Sequence, residues 1–297
     1  MNHFSHRTWR LILHPPGRGA WNMAVDEAIL EAAGCGDAPP TLRLYAWEPP
    51  CLSLGHAQPF SDVDWLALQS KGWDVVRRPT GGRAILHADE LTYSVCGPLD
   101  EPRLSGGVLE SYRALSEALL SALHILNIPA EAHEKPSAAP PTHAVNNPTA
   151  QIAPENALLA DNGRNNPVCF EVPSNYEITV GGKKLIGSAQ ARRKEGVLQH
   201  GSLPLYGDLT RVVQVLAFPD EVARQAAAQR LVQRATTAES ILGQPLTWQE
   251  AAEAFFAAFE RELNLSLLPG ELTASEVSRA RELESAKYSA QEWTQKH

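Results

Sequence analysis

Three segments of this 297-residue chain carry residues whose types and spacing suit chemistry. The first is RRPTGGRAILH at 77–87, where Arg77, Arg78 and Arg83 surround Thr80, Gly81 and Gly82, and His87 follows. Paired glycines let a backbone approach a ligand closely, and consecutive amides in such a loop can cradle an anion or a carbonyl oxygen. The same residues also suit a hairpin turn with solvated arginines. The spacing fits neither a Walker loop nor a dinucleotide fingerprint, so it carries no nucleotide assignment.

The second segment is GGKKLIGSAQ at 181–190, with Lys184, Gly187, Ser188 and Gln190. Strand alternation places Lys184, Ile186 and Ser188 on one face, so Lys184 turns inward if Ile186 does. An inward lysine calls for an anion or a role, although two solvated lysines on an edge strand fit the segment equally well. The third is Cys169 in NNPVCFEVPS at 165–174, shortly before the strand that carries Lys184. A cation beside a thiol favours the thiolate, which is the nucleophile. A lone cysteine is more often an inert buried hydrophobe, which is the reading for Cys96 and Cys51. His87 and His200 lie nearest these motifs and suit either substrate orientation or a structural role. No repeated His, Cys and carboxylate spacing suggests a metal site.

These residues need elements to position them. TWRLILHPP at 8–16 reads as a strand, and GAWNMAVDEAILEAAG at 19–34 as a helix with Met23, Ala24, Ala28 and Ile29 on its apolar face. TLRLYAW at 41–47 and CLSLGHA at 51–57 are short and β-rich, which predicts neighbouring strands. A helix is expected near 62–70, two strands flanking a glycine turn and loop over 73–99, and a helix over 107–126. Residues 134–167 are rich in Pro, Ala and Asn and lack periodicity, so a mobile surface insertion is expected at about 135–162. Strands resume with VCFEVP at 168–173 and YEITVGGKKLIGSAQARR at 176–193, the latter a hairpin on its Gly-Gly turn, and GVLQHGSLPL at 196–205 is a further strand. The part from about 208 reads as helical, and Thr247 with Glu250 and Thr273 with Glu276 match the capping box. The order of elements predicts an α+β fold, with mixed, mostly antiparallel sheets flanked by helices in one domain over 1–297.

Composition narrows the function. Hydrophobic residues at 43% and charged residues at 20% are ordinary for a globular protein. A net charge of −8 argues against a general nucleic-acid binder, whose affinity comes from neutralising phosphates. No apolar run is long enough to span a bilayer, and the N-terminus lacks a secretory pattern, so no membrane association is expected. Four scattered cysteines suit a reducing, cytoplasmic setting. Arg77, Arg78, Arg192, Arg193 and Lys194 suit either a basic docking surface or a solvated hairpin.

Taken together, the motifs resemble the biotin/lipoate protein ligase superfamily. RRPTGGRAILH is similar to its arginine–glycine motif, and GGKKLIGSAQARR with LQHGSLPL to its lysine motif and following strand. GAWNMAVDEAIL, TLRLYAWEPPCLSLGHAQ and KYSAQEW also match, so the resemblance runs nearly end to end apart from the insertion. Within the superfamily the chain most resembles the Gram-positive-type octanoyltransferases. VCFEVPSNYE stands where ligases have Asn-Asp before the lysine strand, and Arg83 takes the place of a third glycine.

That resemblance implies Cys169 as acyl acceptor and Lys184 as its partner. It implies substrate binding by Arg78, Thr80, Gly81, Gly82, Arg83, His87, Gly187, Ser188, Gln190 and His200. The donor would be octanoyl-acyl carrier protein, and the acceptor the glycine cleavage H protein or another lipoyl domain. Neither ATP, metal nor other cofactor would be needed, and a monomer is expected. The alternatives are an ATP-dependent lipoate or octanoate ligase, an amidotransferase between lipoyl proteins, and a catalytically silent carrier-binding paralogue.

Overall fold

The computed structural model describes residues 4–134 and 176–296. The expected insertion at about 135–162, the strand expected at 168–173 and Cys169 itself lie outside the described residues.

A large sheet forms the centre. It is built from β1 (Arg7–Leu13), β2 (Thr41–Tyr45), β6 (Glu90–Gly97), β7 (Glu131–Glu134), β8 (Tyr176–Val180), β9 (Lys183–Arg193), β10 (Gly196–Pro204) and β11 (Leu265–Pro269). Their order is β11-β1-β2-β6-β10-β9-β8-β7. The β1 strand runs parallel to both β11 and β2, whereas the remaining pairs are antiparallel. A second sheet has the order β4-β3-β5, from β3 (Cys51–Leu54), β4 (Asp74–Arg77) and β5 (Ile85–His87). The α+β architecture with mixed, mostly antiparallel sheets is therefore as expected.

Helix α1 (Gly19–Cys35) packs between the two sheets. Every residue from Asn22 to Leu30 is buried, Asp26 and Glu27 included, so the single apolar face expected from the sequence is replaced by burial all round. Two glycines permit this close fit. A Cβ at Gly19 would stand 2.3 Å from the Cys51 sulfur, and one at Gly34 would stand 1.4 Å from the Glu195 carbonyl oxygen. On the opposite face of the large sheet, α3 (Val108–Ile125) and α6 (Trp248–Leu263) cover Trp9, Leu42, Leu91 and Tyr93 with Leu115, Leu119, Phe255 and Phe259. The small sheet is backed by the 3-10 turn at Leu209–Val215 and by α4 (Glu221–Arg234), through Val212, Val215, Ala227 and Leu231.

Several local expectations are corrected. The β2 and β3 strands belong to different sheets and are not neighbours. Segment 73–99 holds three strands, and β4 and β5 both pair with β3, so the glycine loop between them is a crossing over β3 and not a hairpin turn. The helix expected near 62–70 is a 3-10 turn at Phe60–Asp62 followed by α2 (Trp65–Ser70), which Asp64 caps. The part beyond 208 is not wholly helical, because Leu265–Pro269 adds β11 to the large sheet. The Gly181–Gly182 hairpin is present, with both glycines at positive φ.

Both capping boxes form, at α6 and at α7 (Ala274–Leu283). Glu276 serves twice: it closes the α7 cap with Thr273, and it accepts two hydrogen bonds from Arg10 on β1, at 2.7 and 2.5 Å. Burial works to raise the Glu276 pKa, yet the Arg10 guanidinium and the Thr273 amide outweigh it and hold the carboxyl below its usual range. Its stabilisation is therefore complete above the ordinary carboxylate pKa and is lost as pH falls through the depressed native value. Glu276→Ala strands a buried guanidinium and is expected to cost about 3–5 kcal/mol in urea unfolding at neutral pH. The deficit relative to wild type should shrink as the medium is acidified, and an undiminished gap at low pH would contradict this account.

Candidate active site

A cavity of about 390 Å³ opens between the two sheets. Its apolar wall is Met23 from α1, Tyr45 from β2, Trp47, and Ile85 from β5. Its polar wall brings together residues from both sequence motifs: Arg78, Gly81, Gly82, Arg83 and His87 on one side, and Lys184, Gly187, Ser188 and His200 on the other. Thr80 is buried just behind this wall, where its hydroxyl meets Nε2 of His200 at 2.6 Å. Gln190 is not brought in. Its amide bonds Ser111 on α3 and Gln199 at 3.0 Å each, which places it with the sheet-to-helix packing.

A β-bulge decides where Lys184 points. Ile178 pairs with Ile186 and Thr179 with Lys184, so β9 spends two residues where β8 spends one. Adjacent residues of β8 face opposite ways, hence Lys184 and Ile186 also face opposite ways. Simple alternation put them together, and the extra residue, Leu185, overturns that. Ile186 packs in the core with Ile178, whereas Lys184 reaches the cavity, only 5% exposed, with its Nζ 3.2 Å from Glu177. Of the two positions left open for Lys184, inward or solvated, it takes the inward one, through a register that simple alternation does not give.

Two rows of carboxylate, imidazole and hydroxyl flank the cavity. In the first, Glu90 accepts from Thr92 and Ser202 and meets Nδ1 of His87 at 2.7 Å, while Nε2 of His87 meets Ser53 at 2.7 Å. The ring of His87 stacks on Trp47, with centroids 4.1 Å apart and planes 10° from parallel. The order resembles that of a hydrolytic triad, but Ser53 is fully buried in β3 and its oxygen also accepts from Arg78 at 3.0 Å. Ser53 therefore holds Arg78, whose other donors reach the carbonyls of Gly81 and Arg83 at 2.8 Å and so brace the loop.

In the second row, buried Asp26 accepts from Arg43 at 2.7 Å, Tyr45 at 2.9 Å and Ser94 at 2.8 Å, with Nδ1 of His200 at 3.5 Å. Burial alone would raise the Asp26 pKa, but Arg43 and His200 outweigh it and keep the carboxyl below its usual range. Burial lowers the His200 pKa against the opposing pull of Asp26, which favours a neutral ring at physiological pH.

The basic residues considered for docking are largely committed elsewhere. Arg77 is fully buried and donates to the carbonyls of Gly55, His56, Gln58, Trp293 and Thr294, so it ties the C-terminal segment to the loop that follows β3. Arg78 is also buried, Arg192 donates to the Leu104 carbonyl, and Arg193 pairs with Glu27. Lys194 is exposed. A docking surface built from all five residues is thereby corrected. Cys51 and Cys96 are buried, and burial pushes both thiols well up, as suits inert residues.

Reading the sequence missed Asp26, Glu90, Ser53 and Trp47 as site residues. A signal existed for Asp26, which lies three residues after Met23 and so shares its inward face. A local signal existed for Glu90 too, three residues after His87, whereas Ser53 carried none because its partners His87 and Arg78 come from other segments. Among the described residues no cluster suited to a metal ion occurs, and no helix is long and apolar enough to cross a membrane.

The chain is 40% identical over 286 residues to an Octanoyltransferase LipM of Symbiobacterium thermophilum, covering 96% of this chain and 97% of that one. It is 42% identical over 288 residues to the protein of that name from Kyrpidia tusciae, covering 97% and 98%. Among solved structures it is similar to the bi-partite lipoate protein ligase of Thermoplasma acidophilum, from an archaeal lipoylation system, with a TM-score of 0.75, 26% identity and coverage of 98% and 97%. It is also similar to a lipoate-protein ligase A solved with ATP, at a TM-score of 0.72, 25% identity and coverage of 97% and 98%. Residues 18–260 match the model of the lipoyl protein ligase A/B catalytic domain, and the chain belongs to that family.

Proposed function

We propose that this chain is an octanoyltransferase of lipoate biosynthesis, which moves an octanoyl group onto a lysine of a lipoyl-domain protein. The observation that carries this reading is the cavity itself, which joins an apolar slot to a buried lysine, in a chain about 40% identical over nearly its whole length to octanoyltransferases. Octanoyl-acyl carrier protein is the donor, and the glycine cleavage H protein or another lipoyl domain is the acceptor.

Cys169 is assigned as the acyl carrier by family resemblance. Its thiolate attacks the donor thioester carbonyl, the donor thiol leaves, and an acyl-Cys169 thioester remains. The acceptor lysine amine then attacks that carbonyl, forms the amide and releases the cysteine thiolate. The donor thioester is already activated, so no ATP is consumed. Lys184 supplies the cation that favours a thiolate and is the group to exchange protons with it. The carbonyl oxygen, as it gains charge, is received by amides at Gly81–Gly82 or Gly187–Ser188, residues that line the cavity. Met23, Tyr45, Trp47 and Ile85 take the hydrocarbon.

Likeness to ATP-using lipoate ligases supports a second reading, an ATP-dependent ligase. Arg83 at the cavity, in the place of the ligases' third glycine, favours transfer over adenylate formation.

Intact-mass spectrometry of the protein with octanoyl-acyl carrier protein and no ATP separates the two. Wild type should gain one octanoyl group and lose it when a lipoyl acceptor is added, and Cys169→Ala should gain none. Acceptor modified only with ATP and free octanoate would establish the ligase instead. Lys184→Ala should retain the fold and lose about 10²-fold or more in transfer rate, read in single-turnover acylation. A hexanoyl donor lacks two methylenes, each contributing about 0.8 kcal/mol, and should bind roughly fifteenfold more weakly in competition. Equal binding of both chain lengths would exclude the cavity as the acyl slot.

A further inference from the structure

Asp26, His200 and Thr80 stand in a row across three separate elements. Asp26 is on α1, His200 on β10, and Thr80 in the loop that joins β4 to β5. His200 faces Asp26 through Nδ1 at 3.5 Å and Thr80 through Nε2 at 2.6 Å. Arg43, Tyr45 and Ser94 already donate to the Asp26 carboxylate, which is fully buried. A proton on Nδ1 directed at that carboxylate leaves Nε2 as an acceptor, and the Thr80 hydroxyl proton then points at Nε2.

Thr80 is also held through its backbone, because its carbonyl accepts from the His56 amide at 2.8 Å. The next residues are the glycines of the cavity wall. The Gly82 carbonyl presses so closely on Gly55 that a Cβ there would stand 1.9 Å from it, and Gly82 itself has a φ of 96°. Such a loop keeps one conformation only if its neighbours fix it, and Thr80 is where the large sheet reaches it.

We infer that Asp26, His200 and Thr80 act as a positioning row for acyl transfer, which holds the Gly81–Gly82 amides where the thioester oxygen becomes negative. None of the three is a catalytic residue in this account. His200 acts through Thr80, and Thr80 acts through the glycines that follow it. The inference rests on the octanoyltransferase reading, since the oxygen it serves is that of the bound thioester. It reassigns Thr80 and His200 from substrate contact to loop placement and adds Asp26, which no motif marked.

The test is steady-state transfer from octanoyl-acyl carrier protein to a lipoyl acceptor by wild type, Thr80→Ser and Thr80→Val, with thermal midpoints recorded for each. Thr80→Val keeps the shape of the side chain and leaves Asp26 and Arg43 untouched, so it avoids the folding defect that Asp26→Asn risks. The expected result is a fall in kcat of about 10- to 100-fold for Thr80→Val, with KM for the donor within about twofold. Thr80→Ser, which retains the hydroxyl, should restore most of the rate. Unchanged kcat in Thr80→Val, a loss confined to KM, or equal loss in Thr80→Ser would each overturn the positioning row. Wild-type acylation in the same assay reports separately on the octanoyltransferase reading, because wild-type turnover with an unaffected Thr80→Val removes this inference alone.

Discussion

The carboxylate of Asp26 sits where the two halves of the molecule meet. It is fully buried on a helix packed between two sheets, and it takes hydrogen bonds from Arg43, Tyr45 and Ser94, which belong to two strands of the large sheet, while His200 approaches from a third. An ionised carboxylate in such a place is tolerated only because its lone pairs are nearly all engaged and a guanidinium neutralises it. The same group orders β2, β6 and β10 against α1 and orients the imidazole at the cavity. The stability of the centre and the geometry of the site are thus one arrangement.

The cavity draws its two walls from different sheets, which explains its mixed character. Segment 77–87 crosses over β3 within the small sheet, and its loop is braced from below by Ser53 through Arg78 and from the large sheet by His200 through Thr80. Segment 181–190 reaches the same space along β9, where one bulge turns Lys184 away from Ile186 and toward the cavity. A bulge costs a regular ladder hydrogen bond and repays it here by aiming one side chain. Trp47, stacked on His87, joins the apolar wall to the first hydrogen-bonded row.

Arginine usage illustrates how charge in a sequence differs from charge on a surface. Arg77 and Arg78 adjoin in sequence and both are buried, each donating to several backbone carbonyls. The planar fork of an arginine suits that task, since its several N–H groups can satisfy carbonyls from different segments at once. Sequence offers no mark that separates such an arginine from a solvated one.

What the sequence determined by itself was local or carried by long ordered motifs. The Gly181–Gly182 hairpin, both capping boxes, the helix at 107–126 and the burial of Cys51 and Cys96 follow from turn chemistry, end-capping and hydrophobicity acting over a few residues. The family, and with it most of the residues around the cavity, was legible because its motifs are long. Tertiary structure alone decided the rest. It put β2 and β3 in separate sheets, added the parallel strand β11, buried α1 on every side, placed Gln190 in the packing and turned Lys184 by one extra residue. Each of these depends on a partner far along the chain, or on a register that only the neighbouring strand can set, and a sequence read along its length holds neither.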